Sequence, residues 1–436
     1  MGILRRGKGK FLHYIDEDRG IHMHLRIDPD GRGVLVVNAS HVIYLNRSAA
    51  FYVECMMKGL SSNQVVKLAK RRFKKVSPET IRRDYEDVVN KVYSFVLSQV
   101  CPLSSLGFTR VDPLSLKPSA PYRMDLALTY RCNNRCIHCY SSSPEAALSK
   151  RELPKDKWIR IIDKLYRIGV PYIVFTGGEP TLRDDLVDLI AYAQKKGLVT
   201  GLVTNGRRLA DKDYLHSLIE AGLDSIQITL ESADPEVHDK ITGVKGSWEE
   251  TVQGIKNALN EKVYLDVNMT LMTINIDGVE EWVKFLHKLG VKNISINKVI
   301  YSGKALEKVR EFEPPLEKTR EALVKVKELA HELGMKFTWY GVTRYCELNP
   351  LELGLGLKTC SAALMAMCIE PDGSVLPCQS YFKPVGNILK DKWEKIWNHP
   401  LCITIRERKY APEKCRRCPQ FRECGGGCPL EIGYWR

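Results

Sequence analysis

Three thiols, Cys132, Cys136 and Cys139, fall within eight residues, directly after the apolar run Met124 to Leu128. A four-iron cluster takes four ligands. A compact loop offering three therefore either borrows a distant cysteine or leaves one iron open to an exogenous ligand, and the second arrangement is the catalytic one. Structural zinc prefers four protein ligands in paired C-x2-C form, and this loop has one such pair. A second array, Cys415, Cys418, Cys424 and Cys428, has the spacing C-x2-C-x5-C-x3-C, with a single zinc ion as the simpler alternative to an iron–sulfur cluster. Between the two arrays lies Thr176-Gly177-Gly178-Glu179-Pro180. Its two glycines let a ligand approach the backbone, and its carboxylate can accept from an ammonium group.

The elements that must position these residues are legible in the pattern. Strands are predicted at 124–129, 172–176, 199–204, 225–230, 264–272 and 293–300, with an amphipathic helix between each pair. Six such units predict a partial (β/α)6 parallel barrel, an α/β fold whose functional groups gather at the carboxyl ends of the strands. The three-cysteine loop, the glycine pair, Thr204-Asn205-Gly206, Thr229-Leu230-Glu231-Ser232 and Asn275 all fall at or just beyond those ends. Polar capping of strand ends is the bland alternative for each of the polar ones.

Before the barrel, residues 1–100 read as an α+β module. Short strands at 22–27 and 33–37 flank the turn Asp28-Pro-Asp-Gly31, and helices follow at 48–58, 62–73 and 77–99, the last opened by Ser77 and Pro78. Strands followed by three helices suggest a winged-helix-like unit. Residues 101–122, which carry Pro102, Pro113, Pro118 and Pro121, read as a linker, with Cys101 at its edge. The barrel is assigned to 123–335, ending in a helix near 314–334, and a cysteine-rich extension to 336–436. Cys55 and Cys402 belong to no ligand pattern and are expected in the core.

At 436 residues the chain is long enough for two or three cores. Its net charge of +14 comes from Lys and Arg interspersed with Glu and Asp on predicted helices, so solvated helix faces explain most of it and nucleic acid binding is disfavoured. Fourteen cysteines in a chain whose opening segment lacks an apolar signal core are expected to be reduced, which implies a cytoplasmic protein. No run of about 18 apolar residues suggests a membrane span.

The spacing of Cys132, Cys136 and Cys139, with the aromatic His138 before the last cysteine and Gly177-Gly178-Glu179-Pro180 downstream, resembles the radical S-adenosylmethionine (SAM) superfamily. The resemblance implies a [4Fe-4S] cluster on the three cysteines, with SAM filling the open iron. Gly177, Gly178, Glu179 and Pro180 would bind the methionyl amine. Thr204, Asn205, Glu231 and Ser232 would face the ribose and carboxylate, and Asn275 the adenosine. The stretch His238 to Gly243 matches a family segment except that Thr242 stands where an arginine is usual.

The segment from Cys360 through Gly373 and Cys378 to the tail array resembles the SPASM extension, which holds two auxiliary four-iron clusters. Carried over, Cys360, Cys378 and Cys428 serve the first, with Cys346 as fourth ligand and Cys368 as its rival. Cys415, Cys418 and Cys424 serve the second, whose fourth ligand the pattern does not supply: it has an open iron, borrows Cys368 or a carboxylate such as Glu431, or is absent. Gln379 comes directly after Cys378 where some sulfatase-maturing relatives carry an acid, and an amide cannot act as general base. The segment Val42-Ile-Tyr-Leu-Asn46 with Ala49-Ala50 and Gly59-Leu60 resembles the PqqD-like recognition element, which captures a leader peptide on a strand edge.

These resemblances imply an oxygen-sensitive enzyme that cleaves SAM reductively and uses the 5'-deoxyadenosyl radical on a peptide or a cofactor precursor, fed by a donor such as ferredoxin. Maturation of the tungstopterin cofactor of aldehyde ferredoxin oxidoreductase and haem-pathway chemistry are the alternatives within the same class. A non-catalytic iron–sulfur carrier or scaffold is the alternative outside it.

Overall fold

The structure is a computed structural model that describes residues 10–16, 21–37, 41–73, 76–97 and 118–433. Cys101 and residues 101–117 of the expected linker lie outside the described residues. The chain divides into two compact units: residues 1–120 with 162–172 and 195–199, and the remainder.

In the first unit β1 (Lys10–Asp16), β2 (Ile21–Ile27), β3 (Gly33–Val37) and β4 (His41–Leu45) form an antiparallel meander in chain order. The β2–β3 reversal is set by Gly31, at φ 86, whose amide bonds to the Asp28 carbonyl, while Asp28 N–H bonds to Arg32 O at 2.8 Å. Alternation along β2 puts Ile21, Met23, Leu25 and Ile27 on one core with Leu35, Val37, Ile43, Leu45 and Val53. Three helices follow: α1 (Arg47–Met57), α2 (Ser62–Arg72) and α3 (Pro78–Leu97). Asn46 caps α1 by accepting from Ala49 N–H at 2.8 Å, and a Ser61/Gln64 capping box opens α2. Cys55 is buried in the core these helices share.

The second unit is built on the β/α alternation the sequence predicts. β5 (Arg123–Thr129), β6 (Tyr172–Gly177), β7 (Val199–Thr204), β8 (Ser225–Thr229), β9 (Tyr264–Leu271) and β10 (Asn293–Lys298) are neighbours in chain order. The intervening helices are α4 (Lys155–Ile168), α5 (Leu186–Lys195), α6 (Lys212–Glu220), α7 (Pro235–Thr242), α8 (Ser247–Ala258) and α9 (Val279–Leu289). Parallel strands need such crossovers, and helices on the sheet bury Leu126, Ile173, Phe175, Ile226, Val267 and Ile294 almost completely.

The sheet does not stop where the sequence reading ends the barrel. After α10 (Leu316–Glu332), β11 (Lys336–Trp339) pairs in parallel with β10. At the opposite end β12 (Ala366–Ile369) pairs in parallel with β5, Cys368 opposite Asp125, and β13 (Ser374–Leu376) and β14 (Gly386–Asn387) continue antiparallel. The result is a ten-stranded sheet shared by the barrel and the cysteine-rich extension. Strands of two to four residues leave too little alternation to read from sequence. No helix among the described residues is long and apolar enough to cross a membrane.

Candidate functional site

The carboxyl ends of β5 to β10 surround a cavity of about 220 Å³ inside the second unit. Cys132, Cys136 and Cys139 all line it, together with Gly177, Gly178, Thr204, Asn205 and Glu231. The thiol loop is fixed by its backbone. Arg135 and Ile137 N–H donate to the carbonyls of Thr242 and Ile241 at 2.8 and 3.0 Å, and Lys304 N–H donates to Cys139 O at 3.0 Å. Position 242, where arginine would be usual, therefore contributes its carbonyl to the loop. Two sulfurs also accept amide hydrogens, Cys132 from Asn134 at 3.4 Å and Cys139 from Ser143 at 3.3 Å. Such N–H···S bonds tune iron–sulfur centres.

Burial, then the Glu179 carboxylate, push the Cys132 thiol up to about 12. Cys136 is held well above its ordinary value by burial first and then by Cys139, Cys132 and Glu231. Thiols so costly to ionise become thiolates only against a strong cationic partner, which irons provide. Three cysteines of one short loop line the cavity, and a cubane binds each cysteine at a different iron. The donor set fits an iron–sulfur cluster.

Gly177 and Gly178 have a reason the sequence does not reveal. A Cβ on Gly177, at φ 142, would fall on the Thr129 carbonyl, and one on Gly178 would come within 2.7 Å of Tyr130 O and closer still to Arg131 O. Gly178 and Glu179 N–H instead bond to Thr129 O and Arg131 O at 2.7 and 2.8 Å. The glycines let the end of β6 clamp the chain entering the three-cysteine loop. Close backbone packing is thus a second reason for the two glycines, which also line the cavity.

Glu179 is likewise turned inward. Its Oε1 accepts from Thr181 N–H and Oγ1 and from Thr204 Oγ1, and its Oε2 from Asn205 N–H, at 2.6 to 3.1 Å. Burial raises its pKa while these four donors pull it down. The carboxylate ties the end of β6 to the end of β7, and buried Pro180 opens the short turn behind it. Asn205 reaches across, its Nδ2 donating to Asn133 Oδ1 at 2.6 Å, so β7 also braces the thiol loop.

Glu231 faces the cavity, with Oε1 3.1 Å from His138 Nε2 and Oε2 accepting from Thr270 N–H at 2.8 Å. His138 Nδ1 is buried without a hydrogen-bond partner. Ser232 and Asn275 do not line the cavity. Ser232 Oγ accepts from Asp234 N–H at 3.0 Å as α7 begins, and Asn275 spends its amide on Glu231 O, Thr270 O and Met272 N–H. Both are occupied with chain-end capping, the bland alternative for such residues.

Several cavity residues had no motif to mark them: Asp125, Gln227, Asn268, Asn297 and Lys298. The signal that could have found them is polarity at every second position of otherwise apolar strands, since a parallel sheet buries both faces. Behind the cavity Asp266 Oδ2 accepts from Ser295 Oγ at 2.6 Å and from Gln227 Nε2 at 2.7 Å, while Asn268 Oδ1 accepts from Ser295 and Asn297 at 3.1 Å. Lys298 bridges Glu313 and Glu431 at 3.1 and 2.9 Å, which commits Glu431 to an ion pair rather than to a cluster.

In the extension the cysteines fall into two neighbourhoods. Cys360, which burial pushes up, has the Cys428 and Cys378 thiols near it, and burial pushes Cys378 up to about 12, with Cys428 and Asp125 also near. Cys378 Sγ accepts from Ser380 N–H at 3.4 Å. Cys415 has Cys346 and Cys424 as its neighbours. Cys346 therefore lies near Cys415, whereas the resemblance groups it with Cys360, Cys378 and Cys428. Cys368 is buried against Ala127, Tyr130 and Leu376 with Cys378 and Asp125 near it, so it stays a candidate beside the first set, and Cys402 is fully buried. Gln379 lines the same cavity as the three-cysteine loop.

Residues 126–286 match the Radical SAM superfamily and residues 360–419 the SPASM iron–sulfur cluster-binding domain. The chain carries a radical SAM domain followed by a SPASM domain. This radical SAM enzyme is 28% identical over 326 residues to the Fe-coproporphyrin III synthase of Methanosarcina barkeri, covering 69% of this chain and 81% of that one. It is 28% identical to the mycofactocin maturase MftC of Mycolicibacterium smegmatis, covering 71% and 78%. The fold is that of Streptococcus suis SuiB crystallised with its precursor peptide SuiA, with a TM-score of 0.69 at 17% identity over 97% of this chain and 96% of SuiB. Its cofactors are [4Fe-4S] clusters and SAM.

Proposed function

We propose that this radical SAM enzyme modifies a peptide, held by strand addition along β4 while the cavity carries out the chemistry. The observation that carries the reading is the open edge of the first unit's sheet. Among the described strands β4 pairs with β3 alone, and Val42 on it is 43% exposed. A free strand edge recognises main chain irrespective of most side chains, which suits a leader sequence. MftC is a maturase, and SuiB has been crystallised with a precursor peptide, which supports the same substrate class.

Within the cavity Cys132, Cys136 and Cys139 would hold the cluster, and Gly177, Gly178, Thr204, Asn205 and Glu231 would face SAM. Bound there, the cluster and SAM supply an electron and a carbon-centred radical able to remove hydrogen from an unactivated carbon. The protein's part is to orient: Asn205 and the clamp at Gly178 fix the thiol loop, Glu179 locks two strand ends, and Glu231 holds His138. Cysteines of the extension would carry auxiliary clusters that relay electrons. The strongly basic chain suits an acidic reductant such as ferredoxin.

Anaerobically reconstituted protein given SAM and dithionite should release 5'-deoxyadenosine, and Cys136→Ala should release none. A short precursor peptide encoded beside the gene should change mass. Val42→Lys should weaken its binding in fluorescence anisotropy while leaving peptide-free 5'-deoxyadenosine formation intact. Turnover of an iron porphyrin or a pterin with no peptide modified would overturn the peptide reading in favour of a cofactor precursor. The M. barkeri relative, an Fe-coproporphyrin III synthase, is the reason to include the porphyrin.

A further inference from the structure

The second set of cysteines in the extension has a fourth thiol within reach, supplied by a segment that sequence spacing assigns elsewhere. Residues 344–346 run as a strap along residues 424–427. Tyr345 N–H donates to Cys424 Sγ at 3.4 Å, a buried bond that places the next residue, Cys346, beside that sulfur. The Arg344 side chain occupies the space beside Gly427, where a Cβ would come within 2.8 Å of it. Tyr345 is anchored in turn, its hydroxyl accepting from Lys358 N–H at 3.1 Å. Cys346 and Cys424 are the thiols near Cys415, whereas those near Cys360 are Cys428 and Cys378.

The tail array is divided by its own glycines. Gly425, Gly426 and Gly427 have φ of 71, 85 and 87, conformations that turn the chain between Cys424 and Cys428. We propose that Cys346 is the fourth thiolate of the second auxiliary cluster, completing Cys415, Cys418 and Cys424, and that Cys360, Cys378 and Cys428 form the other set. Soft thiolates on a strap and a tight tail suit a four-iron centre, which binds each cysteine at a separate iron. The inference rests on the SPASM assignment of the extension.

The test uses the full chain with Cys132→Ala, Cys136→Ala and Cys139→Ala, so that only auxiliary iron remains. Iron, acid-labile sulfide and electron paramagnetic resonance are read after anaerobic reconstitution. If this background holds no iron at all, the reading of the extension as a cluster domain fails, and the proposal with it. If it holds iron, adding Cys346→Ala should remove up to roughly four irons per chain or convert one centre to a three-iron signal. Cys418→Ala should do the same, and Cys346→Ser should retain the iron with shifted g-values. Added to Cys415→Ala/Cys418→Ala, Cys346→Ala should change nothing further. An unchanged spectrum in Cys346→Ala, or an additional loss in the combined variant, overturns the proposal. Because Cys346 is exposed, an unchanged melting temperature separates ligand loss from misfolding.

Discussion

The two cysteine-rich regions of this enzyme are organised on opposite principles. In the 132–139 loop, neighbours in sequence are neighbours in space: three thiols line one cavity and the strand ends around them serve as a clamp. In the 415–428 tail, four thiols spread over fourteen residues have distant neighbours: Cys346 lies near Cys415, and Cys360 near Cys428. The difference lies in the path of the backbone beyond the last ligand. After Cys139 the backbone is pinned back onto the loop through Ser143 N–H and Lys304 N–H. After Cys424 three consecutive glycines with positive φ swing it away. Close spacing limits where ligands can be; the backbone conformation between them decides whether they act together.

The largest effect should come from the loop. Cys139→Ala should drop SAM cleavage to background while leaving most auxiliary iron in place, and loss of all iron would show that the two regions assemble as one. Next comes Gly178→Ala. Its Cβ would meet rigid backbone at Tyr130 and Arg131 rather than a flexible side chain, so a loss of roughly 3 kcal/mol or more in urea unfolding is expected. Near-normal stability would mean the clamp can open.

In the tail, Gly426→Ala places a Cβ 2.8 Å from that of Ala411 at a φ of 85. About 1–2 kcal/mol of stability should be lost, with auxiliary iron falling before SAM-site iron. Equal loss at both sites would blur the contrast.

The smallest effect concerns the polar layer behind the cavity. Burial raises the pKa of Asp266, with Ser295 and Gln227 opposing it by hydrogen bonding. A raised carboxyl stabilises the fold fully below its unfolded value, about 3.9, and that contribution is lost as pH climbs through the folded value. Asp266→Asn should therefore melt higher than wild type at pH 8, with the gain shrinking toward pH 4. A gain independent of pH would mean that packing, not ionisation, sets the effect.

Much of this was legible beforehand. The six central strands lie within a residue or two of where alternation and turn residues put them, because long apolar runs broken by amphipathic helices leave few choices. Cys55 and Cys402 are in the core as expected. The short strands β11 to β14 were invisible, and so was the polar ladder of Gln227, Asp266, Asn268, Ser295 and Asn297, since each member is a single residue whose partners lie on other strands. Ser232 and Asn275 resemble ligand contacts in sequence and are chain caps in space.

The sequence by itself determined the chemistry available: three thiols too few for a closed cluster, a glycine pair and acid after the next strand, and a second store of thiols at the far end. Those are local facts, fixed by side-chain type and by spacings that a loop cannot exceed. Only the tertiary structure decided which groups meet. It turned Glu179 inward, brought Asp125 opposite Cys368 across two strands distant in sequence, and laid Cys346 beside Cys415 and Cys424. The physical reason is that ligand sets of long sequence separation are assembled by strand pairing and by backbone turns at glycine, neither of which leaves a trace in the spacing of the ligands themselves.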